Sequence, residues 1–512
     1  MMKSLKFLFL FIIMSASCTN LFADNGKIVY NVLDYGAVND GKAYCTQSFQ
    51  KAIDECATNG GGTIYVPAGQ YLIGTIILKS NTCLELAGNA TILGSESIED
   101  YNPGKLIYAS NASNIAIKGL GKIDGQGKIF WEGLKMNQPR PENLIGFESC
   151  NNVHIDDITI VNSPAFNVAL FDCNMVHING IKIINPMRSE NTDGIDPISC
   201  TNVFISNCYI ETGDDAICLK TESADKNCEN IVVSNCILIS DDSAIKLGTS
   251  SKTEIKQCSF SNIIIRNSRY GIALYMKDGG KYEDIQFSNI NIETVVNDST
   301  NSNNYPIFMD IEPRNEDTPL GTINNIILSN IIINTYAGNC LIQGSADKSI
   351  ENLTLNNIRM NVLSRSDLSD RKKPRGYIPQ QNAENDFANI SSNFTLANIK
   401  NLNIEDLVIT DINRSDKFQR YAIWGENIEN VIVKGLSFEP AIPNINLSNV
   451  SFSQCKDVYV SECRSESTRT PFLEIRGAQS TNINLKNNYL HSFSRPTMIH
   501  KEVSEKLNIN WP

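Results

Sequence analysis

At 512 residues, with 42 % hydrophobic and 20 % charged positions, the chain has ample apolar material for a large core, and long single-domain β architectures reach this size. Its formal net charge of −12 argues against nucleic acid, whose phosphates demand a basic surface. No segment reaches transmembrane length, so only the N-terminus calls for a targeting explanation.

There, Lys3 and Lys6 precede the apolar run FLFLFIIM (7–14) and then small and polar residues, the layout of a secretion signal. Cleavage after LFA would remove residues 1–23 and start a soluble protein at Asp24. Cleavage within SASC would instead leave a lipid-bearing Cys18. Ser15 stands where a lipoprotein signal prefers Leu, so the soluble form is preferred. Either way the expectation is export, to the periplasm, the outside, or the outer membrane through a lipid anchor.

Residues 34–78 hold a helix-like stretch, TQSFQKAIDECA, ahead of a glycine cluster and a strand. From there the chain repeats one phrase, apolar-x-apolar-x-x-apolar-x-apolar, as in VHIDDITI (153–160), VHINGIKI (176–183), VFISNCYI (203–210) and IVVSNCIL (231–238). The second apolar residue recurs at 155, 178, 205, 233, 260, 287, 328, 355, 404, 433, 460 and 485. Such a period means stacked units, none able to bury its core alone. Alternation rich in Val, Ile and Leu indicates strand rather than helix.

The x-x step ends in Asp157, Gly180, Asn207, Asn235, Asn262, Asn289, Asn330, Asn357, Asp406, Gly435 or Asn487, with Glu462 the exception. Gly, Asn and Asp tolerate a left-handed backbone, so each unit bends at the same place. The predicted fold is all-β: one right-handed parallel β-helix over residues 24–512, its Asn side chains stacked in a ladder and its open end closed by the N-terminal helix. Residues 364–393 lack the repeat and read as a long loop insertion. Cys150, Cys173, Cys200, Cys228 and Cys455 fall in one column, and Cys208, Cys236 and Cys463 in another. Small side chains packed in columns explain this. Disulfides between rungs about 4.8 Å apart stay open, and no CxxC pair marks zinc.

Aligning apolar residues across coils sets D193-G-I over D215-A-I, S243-A-I and Y270-G-I. Asp193 and Asp215 then share a column on successive coils, about 4.8 Å apart, with Asp214 beside them. Alone, each would read as a turn or cap residue. Convergence from two coils changes that, because carboxylates so close cannot all ionise easily and one keeps its proton. An acid beside ionised neighbours is what glycosidic cleavage needs. No metal and no cofactor are expected.

NTDGID, GDDAI, DYGAVNDG…GGGTIYVPAGQY, GKIDGQG (121–127) and RPENLIGFESCNNVHI (140–155) together resemble the polygalacturonases and related pectin hydrolases of glycoside hydrolase family 28. The resemblance implies inversion, with Asp214 as general acid and Asp193 and Asp215 positioning the attacking water. The usual inverting separation of roughly 6.5–9.5 Å exceeds one rung, so side-chain direction must set the gap.

Two departures stand out. Where members cutting polygalacturonate carry GHG and RIK, this chain has DDSAIKLGTSS (241–251) and SRYGIALYMKDGG (268–280), with Ser243 at the His position and Ala273 and Tyr275 near Arg and Lys. In the family that basic pair holds the sugar carboxylate on the leaving side, so a neutral leaving sugar such as rhamnose is implied, unless other cations substitute. Lys220 and Lys246 point outward by strand parity, and Lys277 and Arg314 lie on loops at the same end; each is a candidate contact for a uronate. Asp196, also outward, is a candidate to orient a sugar hydroxyl or to pair with Lys246. The partner is thus a pectic polysaccharide met by a monomer. The alternatives are a calcium-assisted polysaccharide lyase on the same fold and a non-catalytic carbohydrate-binding β-helix.

Overall fold

The computed structural model describes residues 28–131, 139–187, 189–295, 304–336, 338–363, 387, 390–412, 420–440, 447–465, 471–490 and 496–503. The expected leader with Cys18, and most of the 364–393 insertion, lie outside these residues. The chain winds as a right-handed parallel β-helix whose coils contribute up to three short strands each. In one coil, Phe166–Phe171, Asn174–Asn179 and Lys182–Ile184 each pair in parallel with their counterparts on the coils before and after.

The repeat is the core. The reference residues are direct partners along one inward column, from Ile155 through Ile178, Ile205, Val233, Phe260 and Phe287 to Leu485, each buried. Phe260 and Phe287 stack with ring centroids 4.9 Å apart. Burying such side chains on every rung contributes about 1.5–3 kcal/mol apiece and is the main force holding the coils together.

All twelve residues of the x-x step adopt positive φ, from Asp157 (61°) to Asn487 (54°), Glu462 (56°) included. The expected ladder runs through Asn207, Asn235, Asn262, Asn289, Asn330 and Asn357, each Nδ2 after the first donating to the preceding Oδ1 at 2.8–3.4 Å. A second left-handed column, at Asn152, Met175, Asn202, Asn230, Gln257 and their successors, bends the chain three residues before the reference. Helix α1 (Thr46–Thr58) turns Phe49, Ala52, Ile53 and Cys56 inward, and Phe49 meets Tyr71 edge-on at 5.6 Å. The cysteine columns are packing: Cys150, Cys173, Cys200, Cys208 and Cys236 are buried thiols, without disulfides.

Five strands of one sheet matter for the site: β1 (Ile195–Ile198), β2 (Ile217–Thr221), β3 (Ser243–Ser251), β4 (Tyr270–Met276) and β5 (Tyr305–Ile311). Their Ile195, Ile217, Ile245, Ile272 and Ile307 align inward, so the alternate residues line the outer face.

Candidate active site

The register that seats Ile195 on Ile217 and Ile217 on Ile245 also stacks the residues two places earlier: Asp193, Asp215 and Ser243, with Tyr270 next. The Gly194 N–H donates to the Asp215 carbonyl at 2.8 Å, fixing the step. Both motif glycines are required by close approach. A Cβ on Gly194 would fall 2.3 Å from the Ala216 carbonyl oxygen, and one on Gly213 would fall 2.1 Å from that of Ser189.

The three acids named from the sequence therefore meet. Asp193 and Asp215 offer carboxylate oxygens within 4.8 Å of one another and of Cys218 Sγ. Asp214, Asp215 and Asp242 offer a second set within 4.8 Å. That spacing could hold a hard cation, although the Lys246 ammonium already supplies positive charge at Asp215.

Asp214 is anchored through its backbone. Its carbonyl accepts from Thr212 Oγ1 (2.6 Å) and Ser240 Oγ (2.7 Å), and its Oδ1 accepts from the Asp215 N–H (3.0 Å). Asn191 Nδ2 donates to its Oδ2 at 3.4 Å. Arg140 in turn donates to Asn191 Oδ1 and to the Glu190 carbonyl (2.8 Å).

The charges around this cluster are buried in pairs. Lys220 Nζ lies 3.0 Å from Asp193 Oδ2, bonds Asp196 Oδ1 as well, and sits 4.3 Å from the Phe166 ring centroid. Lys246 Nζ lies 2.7 Å from Asp215 Oδ2, and Asp215 Oδ1 accepts from the Ser243 N–H at 3.3 Å. Burial pushes Asp193 up to about 8, Asp215 to about 7 and Asp196 to about 6, outweighing the pull of the ammonium groups. For the two lysines burial works downward, but the surrounding carboxylates hold both well above their ordinary value, so both stay charged. Asp193 Oδ1 and Asp196 Oδ2 are buried with no hydrogen-bond partner among the described residues.

Asp196 pairs with Lys220, not with Lys246 as the sequence allowed. The reason is register: Cys218 stands between Asp196 and Lys246 in their column, whereas Lys220 reaches diagonally from the adjacent rung. Lys277 and Arg314 lie beyond the ends of β4 and β5. Lys277 bonds Glu312, and Arg314 grips Asp278 through Nε (2.5 Å) and Nη2 (2.8 Å). Sequence reasoning did not single out Asp242, Asn191, Arg140 or Arg269; register alone would have found Asp242, one residue before Ser243.

On the outer face of β4 and β5, Tyr270, Tyr275, Tyr305 and Phe308 form an aromatic cluster separate from the helix core. Ala273 stands beside Lys246 on the next rung, and Tyr275 lies one position further out, with Lys246 Nζ 5.5 Å from its ring centroid.

The family model for glycosyl hydrolases family 28 matches residues 56–375. A probable polygalacturonase of Vitis vinifera is 35 % identical over 216 residues, covering 37 % of this chain and 44 % of the relative. The chain spans about half the length of the first curated relatives it matches. Among solved structures, an exopolygalacturonase of Thermotoga maritima superposes with a TM-score of 0.59 at 24 % identity, over 65 % of this chain and 87 % of that one. A family 28 exopolygalacturonase of Yersinia enterocolitica gives 0.59 at 19 %, over 81 % and 79 %. Those two likenesses establish the winding, and the family match spans both coils that carry the acids: the chain belongs to glycosyl hydrolases family 28.

Proposed function

We propose that the protein is a glycoside hydrolase acting on a galacturonate-containing pectic chain, with Asp214 as general acid and Asp193 and Asp215 holding the attacking water. One observation carries this reading: two successive coils bring Asp193 and Asp215 oxygens within 4.8 Å, with Asp214 adjoining. Two hydrogen bonds of about 2.8 Å span that gap through a single water. Of the pair, Asp215 has the Lys246 ammonium to itself at 2.7 Å, whereas Asp193 shares Lys220 with Asp196, so Asp215 is the group that takes the water's proton. Asp214, less buried than either, protonates the leaving oxygen. Water entering from the face opposite the acid gives inversion.

The leaving sugar is neutral, as in a rhamnogalacturonan backbone or a side chain. Each candidate cation is occupied by an acid: Lys220 by Asp193 and Asp196, Lys246 by Asp215, Lys277 by Glu312 and Arg314 by Asp278. A neutralised cation is a weak anchor for a sugar carboxylate, and the neighbouring surface on β4 and β5 is aromatic. The leader-like residues 1–23 favour an exported enzyme.

The test is incubation with homogalacturonan and with a rhamnogalacturonan backbone, followed by mass analysis. Hydrolysis adds one water per cut. Products lacking that water and absorbing in the ultraviolet would replace the reading with a lyase, and binding without products would replace it with a carbohydrate-binding β-helix. Cleavage of homogalacturonan alone would overturn the neutral leaving sugar.

A further inference from the structure

The wall of the helix begun by Lys182–Ile184 carries no part of the catalytic cluster, yet it has a concave surface of its own near the C-terminal coils. Val408, Ser437, Arg464 and Tyr489 are partners on four successive rungs of that wall and face outward. They border a hollow of about 850 Å³, closed on the side of the left-handed bend by Asp406, Gly435 and Glu462. Small-molecule sites run to roughly 300–1,000 Å³. Three rung steps of about 4.8 Å make this one long enough for a short oligosaccharide rather than a single ring.

The hollow opens where the Asn ladder stops. From Asn207 to Asn357 the column is filled by amides bonded to their neighbours, but the next three rungs hold Asp406, Gly435 and Glu462. Neither acid can donate to the other, and the place between them has no side chain. Asp406 leans toward that gap: a Cβ on Gly435 would fall 2.6 Å from Asp406 Oδ1. Among the described residues, neither carboxylate has a hydrogen-bond or ion-pair partner. Arg464 meets no acid either. Its guanidinium carbon lies 5.3 Å from the centroid of the Tyr489 ring, a contact that props the phenol while leaving it 57 % exposed.

We propose that this hollow is a binding site for a short stretch of neutral oligosaccharide, apart from the groove that holds Asp193, Asp214 and Asp215. Solitary exposed acids and arginines are simply hydrated; here they converge on a cavity beside a propped aromatic ring. The ring offers a flat apolar face to the C–H side of a sugar. Asp406 and Glu462 accept hydrogen bonds from its hydroxyls, and bonds to a charged acceptor are stronger than neutral ones. Two acids against one arginine disfavour a uronate, which selects an uncharged sugar. The site stands whichever residue acts as the catalytic acid.

Calorimetric titration of the full chain tests it, with β-1,4-linked galactotetraose and α-1,5-linked arabinotetraose as neutral pyranose and furanose probes and tetragalacturonate as the charged one. At least one neutral probe is expected to bind saturably. Tyr489→Ala is expected to weaken that binding about tenfold, whereas Tyr489→Phe keeps the ring and keeps the affinity. Glu462→Gln, which leaves the aromatic wall intact, is expected to weaken it severalfold. Binding of neither neutral probe would overturn the proposal. So would binding that survives both Tyr489→Ala and Glu462→Gln, since it would lie elsewhere, in the catalytic groove for instance. Tetragalacturonate bound more tightly than both neutral probes, and lost in Tyr489→Ala, would overturn the uncharged ligand. Turnover of a short pectic oligosaccharide is expected to be unchanged in Tyr489→Ala; a parallel tenfold fall in kcat/KM would overturn the separation from the groove. Binding is read without turnover, so a failure of the hydrolase reading leaves the titration result standing.

Discussion

Lys246 Nζ and Asp215 Oδ2 lie 2.7 Å apart, an ammonium on one rung set against a carboxylate on the rung before it. Asp215 is buried, and burial has already lifted it to about 7 with this partner in place. In Lys246→Met the carboxyl keeps its burial and loses its cation, so its proton affinity rises further. The ionised base then forms only at higher pH, and the acid limb of kcat/KM moves upward, with a rate loss of about tenfold or more on the acid side. Breaking a buried pair costs about 3–5 kcal/mol if the survivor stays charged, and protonation relieves part of it. Thermal melts should therefore show a larger deficit at pH 8 than at pH 5. An acid limb identical to wild type would remove Asp215 from the base role.

Asp214→Asn separates chemistry from folding. The change is isosteric, and the backbone anchors from Thr212 and Ser240 to the residue-214 carbonyl do not involve the side chain. The melting temperature should stay close to wild type while turnover falls about 10²–10⁴-fold, the usual worth of a positioned acid. Reducing-end assays on a cleavable substrate decide it; wild-type turnover in this variant would reject Asp214 as the acid.

Three raised carboxyls also set the direction of stability with pH. Asp193, Asp215 and Asp196 start from 3.8 in the unfolded chain and reach about 8, 7 and 6 in the fold. Between those limits the native state binds more protons than the unfolded one, so stability falls as pH rises from about 4 to about 8. Asp54 and Asp278 are displaced the other way, with burial overcome by Lys79 and Arg314 respectively, and their contribution is lost only as pH falls below the ordinary carboxylate range. Melting temperature should thus peak on the mildly acidic side and decline toward pH 8, and Asp193→Asn should flatten that decline. A maximum at pH 8 would show that these carboxyls are ionised without cost.

Most of the winding was legible because one signal repeated. An apolar reference residue every turn, followed two places later by Asn, Asp or Gly, located the inward column and the left-handed bend, and Asp193 over Asp215 followed from that register. The second bend carries the same signal, with Asn or Asp at most of its positions, and went unread although only Met175 and Gln257 depart from it. Pairings were harder for a different reason. Strand parity says that Asp196, Lys220 and Lys246 point outward, but only side-chain reach across rungs decides that Lys220 takes both Asp193 and Asp196. Asp242 escaped because its neighbour Ser243 held the aligned position, although the same register places it on Asp214, where the oxygens of the two come within 4.8 Å.

The Asn ladder offers the last test, and it concerns the frame that holds the acids in register. Asn289 sits at φ 55°, donates to Asn262 Oδ1 at 3.2 Å and accepts from Asn330 Nδ2 at 3.0 Å. Asn289→Ala keeps a Cβ in a left-handed turn without the side chain that makes it tolerable, and it cuts two ladder bonds. The expected cost is about 1–2 kcal/mol. Asn289→Gly removes the steric part and retains only the loss of the two exposed bonds, so it should be milder. Guanidinium unfolding midpoints ordered wild type, then Gly, then Ala would separate conformational from hydrogen-bond contributions. If Gly proved as costly as Ala, the two lost ladder bonds would account for most of the destabilisation, and the left-handed bend would be set by the coils stacked above and below it.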